Sequence, residues 1–332
     1  MKRVMFFAHD PGGANAIAPL IPEFENPLVF AKGPAVRILP AAQGLPDNVL
    51  VDLSPDFLVT GTSANDFTER NLWKQAEALG IPSMAILDSW VNYGVRFSKF
   101  GLDELHLFVG KCDYTPRFVC VPDDLAKEDA IIDGIPEEII ISYGNPHFEK
   151  MAAKARNTAG ISDGKTILFA SQPFTDVYYK GSQEIVLQDL VTTVGEYNDA
   201  HNDLKLMIRK HPKEPAEKFT RYLGKHVFMD TNTDVYDSVR EAEILVSVNS
   251  MVLIEALFLS KKIISYQPKT KNGKDDFILT KNGTIPFIDN TTDFRGHFAE
   301  MLIIKDYSPK TDIKCSGIIE RLKTFIKEQM YG

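Results

Sequence analysis

Short apolar runs recur along the chain, separated by stretches in which apolar residues return at helical spacing. The early runs are "RVMFFA" (3–8), "NPLVFA" (26–31), "DFLVTG" (56–61), "SMAILD" (83–88), "LHLFVG" (105–110), "FVCVP" (118–122) and "IIISYG" (139–144). Most are continuous rather than alternating, as in strands buried on both faces of a parallel sheet. Between the third and fourth, "ANDFTERNLWKQAEALGIP" carries Phe67, Leu72, Ala76 and Leu79 as a helical stripe. Asn65 or Asp66 can cap it, and Gly80 and Pro82 close it. This is βαβ logic with right-handed crossovers.

The pattern breaks in the polar, small-residue-rich stretch 144–166 and restarts at "TILFASQ" (166–172). A helical stretch (183–200), "LKLMIRKHP" (204–212), "HVFMD" (226–230), a short helix near 234–242, "ILVSVNS" (244–250), the helix "MVLIEALFL" (251–259) and "KIISYQP" (262–268) follow. The expected fold is α/β, with two doubly wound Rossmann-like domains facing across a cleft. Residues 1–150 form the first domain and 151–315 the second. The apolar stripe Ile318, Ile319, Leu322, Phe325 and Ile326 brings the helix 316–332 back onto the first.

Composition narrows the function classes. The 332 residues are 44% hydrophobic and 25% charged, as in a soluble globular protein with room for two cores. A net charge of -8 disfavours general nucleic-acid binding. Cys112, Cys120 and Cys315 match no zinc or redox spacing and read as reduced thiols of a cytoplasmic protein. The N-terminal apolar run ends at Asp10-Pro11-Gly12, too short for a secretory signal, and no run is long enough to span a bilayer.

Several strand ends carry candidate chemistry. "HDPGGANAIAPLI" (9–21) follows the first strand and is not a dinucleotide fingerprint, but ligands bind at strand C-terminal ends in open parallel sheets. Gly12 and Gly13 would let the backbone approach a sugar or phosphate, and Asn15 stands near an expected helix start. The competing reading is a tight turn with Asp10 as cap. "VTGTSAND" brings Thr62 and Ser63 to a similar position, and "ILDSWVNYGVRF" brings Asp88, Trp90, Tyr93 and Arg96, suited to a sugar or polar acceptor or else to an Arg96–Asp88 pair with packed aromatics.

In the second half, "LMIRKHP" ends a strand in Arg209, Lys210 and His211, a cationic group suited to phosphate. "ILVSVNSMVLIEALFL" runs from a buried strand through Ser247, Asn249 and Ser250 into an apolar helix containing Glu255. Such a junction attracts phosphate, and a glutamate among apolar neighbours suits a ribose hydroxyl pair; a serine cap and a salt bridge are the alternative. "ASQPF" (170–174) adds Gln172. "AGISDGKT" (159–166) fails as a P-loop, because Ala159 replaces the first glycine and a strand follows Lys165. No D-x-D, zinc-helix histidine pair or G-x-S-x-G elbow occurs.

Together, "RKHP" and "LVSVNSMVLIEALFLSKKIISY" resemble the C-terminal half of GT-B-fold glycosyltransferases. The likeness is to capsule and cell-wall enzymes with an HP and a serine motif, either sialyltransferase-like or CDP-glycerol glycerophosphotransferase-like. Nucleotide-sugar 2-epimerases share that fold. The resemblance implies that His211 and Ser247 or Ser250 hold the donor phosphate, that Glu255 meets the ribose, and that Asp10 or His9 is the catalytic base. Arg209 and His211 would steady the leaving phosphate. The acidic pair followed by glycine found in sialyltransferases is absent. The implied activity is a metal-independent glycosyltransferase using a UDP-, CMP- or CDP-linked sugar in surface polysaccharide or glycan synthesis. The alternatives are a 2-epimerase or hydrolase of nucleotide sugars, a CDP-polyol phosphotransferase, and a non-enzymatic nucleotide-sugar binder. No cofactor is expected beyond the nucleotide sugar as co-substrate. The expected partners are that donor and a glycan or lipid-linked acceptor, with peripheral contact at the inner membrane face allowed and no nucleic acid.

Overall fold

A computed structural model describes residues 2–156, 162–172, 182–201, 203–212, 214–268, 277–308 and 313–331. The chain divides into two compact units, Met1–Met151 with Asp312–Gly332, and Ala152–Thr311. Each is built on its own parallel sheet, with 3-10 turns and α-helices connecting the strands.

The first unit contains β1 (Val4–Ala8), β2 (Leu28–Ala31), β3 (Phe57–Thr60), β4 (Ser83–Ile86), β5 (Phe118–Cys120) and β6 (Ile140–Ile141), in spatial order β2-β1-β3-β4-β5-β6. Every residue of β1, β3 and β4 is buried. The chain leaves β1 for β2 on one side and returns for β3 on the other, so the switch point lies between β1 and β3. Open α/β sheets bind ligands at the strand C-termini of such points. The second unit contains β7 (Thr166–Ala170), β8 (Lys205–Arg209), β9 (Val227–Met229), β10 (Ile244–Ser247) and β11 (Lys262–Ser265), in order β11-β10-β7-β8-β9. Its switch point lies between β7 and β10.

The helices are α1 (Pro11–Ile17), α2 (Val49–Leu53), α3 (Thr68–Ala78), α4 (Asp124–Ile132), α5 (Pro146–Arg156), α6 (Ser182–Ala200), α7 (Val235–Glu241), α8 (Met251–Phe258), α9 (Ile278–Lys281), α10 (Thr291–Ile303) and α11 (Ile318–Tyr331). Two expectations change. The run 105–110 is not a strand: a 3-10 turn covers Leu102–Leu107, Val109 is 86% exposed, and β4 pairs directly with β5. An apolar run with no neighbouring strand to pair with and no core to face has nothing to hold it extended. The polar stretch after residue 144 holds α5, begun by Pro146 at a position where a missing N–H costs nothing. Gly164 makes the turn before β7 with a positive φ of 71°, and residues 157–161 of the near P-loop stretch lie outside the described residues.

Helix α11 packs Ile318, Leu322, Ile326 and Met330 into the same core as Val4, Phe6 and Ile17. Its N-terminus is capped from α5. The Glu149 carboxylate accepts the N–H groups of Gly317, Ile318 and Ile319 at 2.9, 2.7 and 2.8 Å. Three charge-assisted bonds satisfy donors that a helix start otherwise leaves open. Glu149→Ala should therefore cost about 2 kcal/mol, read as a lower urea midpoint with an unchanged slope.

Candidate functional site

At the first unit's switch point, α1 begins at Pro11, one residue after Asp10. Asn15 therefore lies in the second turn rather than at the helix start, and Gly12 and Gly13 lie in the first. Proline's fixed φ nucleates the helix this early. The two glycines let the protein pack against itself. A side chain at Gly12 would run into the Asp88 carboxylate, and a Cβ at Gly13 would stand 2.8 Å from the Gly61 Cα. The loops after β1 and β3 thus touch backbone to backbone.

The Asp10 side chain does not cap α1. Its Oδ1 lies 2.8 Å from His9 Nδ1, and the other ring nitrogen, Nε2, lies 3.5 Å from Asp66 Oδ2. Lys32 Nζ reaches the same Asp66 oxygen at 3.2 Å. Burial alone would raise the Asp66 pKa. The Thr68 hydroxyl and N–H, Lys32 and the His9 ring outweigh it and hold the carboxyl below the usual range. His9 is thus an imidazole with a carboxylate on each side.

Beneath it lies Glu69, in the first turn of α3 and 1% exposed. Its Oε1 accepts the His9 N–H at 3.1 Å and the Ser63 hydroxyl at 3.2 Å. Burial, with Asp10 and Asp66 nearby, pushes its pKa up to about 8. Sequence reasoning missed Glu69, because a glutamate in a helix's first turn is ordinary and usually solvated. Nothing local marks its burial.

The acceptor-side candidates divide. Arg96 is held by the fold: Nη1 donates to Asp88 at 2.7 Å and to both oxygens of Thr62 at 2.9 Å, Nη2 donates to Ser89 and Nε to the Asn92 carbonyl. The paired reading of Arg96 and Asp88 therefore describes their geometry. Thr62 and Ser63 are each 1% exposed. Trp90 is 4% exposed, stacks on Phe148 with 5.4 Å between centroids, and donates to Asp123. Tyr93 is also 4% exposed. Both aromatics are core residues here.

In the second unit, Arg209 turns toward the loop before α7. Its Nη1 donates to Asp230, the Asn232 carbonyl and Ser238 at 2.7–2.9 Å. Lys210 donates to the Glu214 carbonyl, and the His211 N–H donates to the Glu214 carboxylate at 3.0 Å. Glu214, 6% exposed, also accepts from Ser171, Gln183 and Lys218. Burial opposes its ionisation, but these donors outweigh burial and hold its pKa down. Glu214 fixes the "RKHP" loop beside β7, a role no motif announced.

Ser247 is fully buried and donates to the Ala170 carbonyl across the sheet at 2.6 Å. Ser250 caps α8 by accepting the Val252 N–H. Gln172 and Asn249 meet at the switch point: Gln172 Nε2 donates to Asn249 Oδ1 at 3.0 Å, and Gln172 Oε1 accepts the Asn249 N–H at 3.1 Å. Pro173 and Phe174 of the same loop lie outside the described residues. Glu255 is half-buried on α8, between the buried Ile254 and Ala256. Gln172, Asn249 and the half-buried His211 thus lie just past the C-termini of β7 and of its two neighbours, β10 and β8. Among the described residues no group of three or more His, Cys, Asp or Glu is arranged to hold a metal ion, and no helix is long and apolar enough to cross a membrane.

No protein-family model matches the chain, and no curated protein matches it in sequence. Solved structures do match in fold. A Listeria monocytogenes protein, provisionally assigned as a UDP-N-acetylglucosamine 2-epimerase, aligns at a TM-score of 0.70 and 15% identity, over 100% of this chain and 97% of its own. The UDP-GlcNAc 2-epimerase from Neisseria meningitidis, bound to UDP-GlcNAc, aligns at 0.66 and 14%, over 98% and 100%. A glycosyltransferase of kitacinnamycin aligns at 0.58 and 13%, over 99% and 95%. The fold is thus GT-B-like, with two Rossmann-like domains.

Proposed function

We propose that the protein is an enzyme acting on a nucleotide-activated sugar, and that its chemistry is 2-epimerisation or hydrolysis rather than transfer to an acceptor. The observation that carries this reading is the crowding of His9, Asp10, Asp66 and Glu69 at the β1/β3 switch point. Inverting a carbon centre requires one group to remove a proton and another to return one on the opposite face. Transfer to a hydroxyl needs a single base. His9 is the proton-transfer group in this reading, and Asp10 orients its ring through Nδ1. The second unit takes the nucleotide, with Gln172, Asn249, His211 and the N-terminus of α8 toward the phosphates and Glu255 toward the ribose. The UDP-GlcNAc held by the Neisseria enzyme favours a UDP-linked substrate.

The likeness to a glycosyltransferase supports transfer to a glycan or lipid-linked acceptor as the second reading. One pair of measurements separates the two. UDP should raise the thermal midpoint more than CDP, CMP or GDP, because a ligand of the native state at 100 times its Kd adds about 2.7 kcal/mol. UDP-sugar incubated without acceptor should then yield the 2-epimer or free UDP. Turnover that begins only when an acceptor is added would move the assignment to the transferase. The absence of a shift with every nucleotide would sink both readings.

A further inference from the structure

Glu69 Oε2 is buried and has no hydrogen-bond partner among the described residues. Its other oxygen bridges two loops, taking the N–H of His9 after β1 and the hydroxyl of Ser63 after β3. The charged groups around it are His9 and Asp10 from the first loop, Asp66 from the turn before α3, and the adjoining Arg70. The Arg70 guanidinium is directed to the carbonyls of Ser63, Ala64, Val95 and Arg96 rather than to Glu69. Lys32 stands beyond Asp66. A solvated carboxylate would be the usual occupant of a helix's first turn, and a sealed one with an orphan oxygen is costly.

We propose that Glu69 is the positioning residue of the acid–base cluster: its carboxyl ties the His9 backbone to the loop after β3 and so sets where the imidazole stands between Asp10 and Asp66. This rests on the reading that the cluster carries the chemistry, but its test does not require turnover. Glu69 is a neutral acid at neutral pH, since burial lifts its pKa to about 8. Above that pH a third negative charge arises beside Asp10 and Asp66, directly under the His9 backbone. The ring stands close enough to sense it, with its backbone N–H on the Glu69 carboxyl and a carboxylate at each ring nitrogen.

The experiment is an NMR titration of the histidine ring signals of the whole protein, with His9 identified among the seven histidines by its loss in His9→Gln. The wild-type His9 signals should show an inflection near pH 8, where Glu69 ionises. In Glu69→Gln, which keeps a neutral acceptor in place, the inflection near pH 8 should be gone. An inflection that persists in Glu69→Gln, or one missing from the wild type, overturns the proposal. Should Glu69→Gln fail to fold, Ser63→Ala serves in its place. It removes a donor that favours the ionised carboxylate, so the inflection should move upward, and an unmoved inflection overturns the proposal equally. Activity is measured on the same samples. Its absence from the wild type would count against the epimerase reading and leave the titration result standing.

Discussion

His9→Gln should lower turnover of a UDP-sugar by about 10²- to 10⁴-fold, the usual range for loss of a proton-transfer group, while the thermal shift produced by UDP survives. The two readouts separate because the groups lie in different units: His9 follows β1, whereas Gln172 and Asn249 follow β7 and β10. Asp10→Asn should fall in the same direction by a smaller factor, since the ring keeps a neighbour at Nδ1 but loses the charge. Both variants are measured by steady-state kinetics and thermal unfolding on one preparation. A His9→Gln protein that turns over normally would remove the imidazole from the mechanism. One that no longer responds to UDP would give it a binding role instead.

The sheets were legible in the sequence because most paired strands are short continuous apolar runs, a pattern that survives without knowledge of neighbours. The run 105–110 shows the limit: its residues have the same character as a strand, but pairing is decided by what lies alongside, which sequence pattern does not contain. The loops after β1, β3, β7 and β10 could be singled out as candidates as well, since open parallel sheets bind ligands at strand C-termini. The direction each side chain takes there was not. Arg209 and Ser247 are as polar as any ligand contact, yet each is held by a protein acceptor well away in sequence, at Asp230 and Ala170, whereas the Arg96–Asp88 pair, eight residues apart, was one of the two readings the sequence offered. Glu69 was invisible for the converse reason. It is buried where the loops after β1 and β3 meet, bonded to the His9 N–H and the Ser63 hydroxyl, a consequence of packing that no local window shows.

Glu69→Gln should also change how stability depends on pH. The unfolded carboxyl releases its proton near 4.5, and the folded one retains it to about 8. Between these values the native state binds more protons than the unfolded chain, so stability falls as pH rises through the window, by up to about 1.4 kcal/mol per pH unit, and levels off above it. Glutamine has no proton to release. Relative to the wild type, the variant should therefore gain with rising pH, reaching about 3 kcal/mol at pH 7 over its relation at pH 4.5. Urea midpoints measured at pH 5, 7 and 9 test this. A constant difference between variant and wild type would show that Glu69 is ionised in the folded protein throughout.

The cap that Glu149 places on α11 has a bearing on how the chain is made. A ribosome delivers β1 to β6 first, then all of the second unit, and only afterwards the helix whose Ile318, Leu322 and Ile326 cover the first sheet. Until that helix emerges, an apolar face beside Val4 and Phe6 stays open and the Glu149 carboxylate waits without its three donors. The second unit has no such debt, since its strands and helices arrive in one continuous block. During synthesis the later unit is thus the first able to finish folding, and the nascent first unit is the stage at which chaperones have a surface to hold.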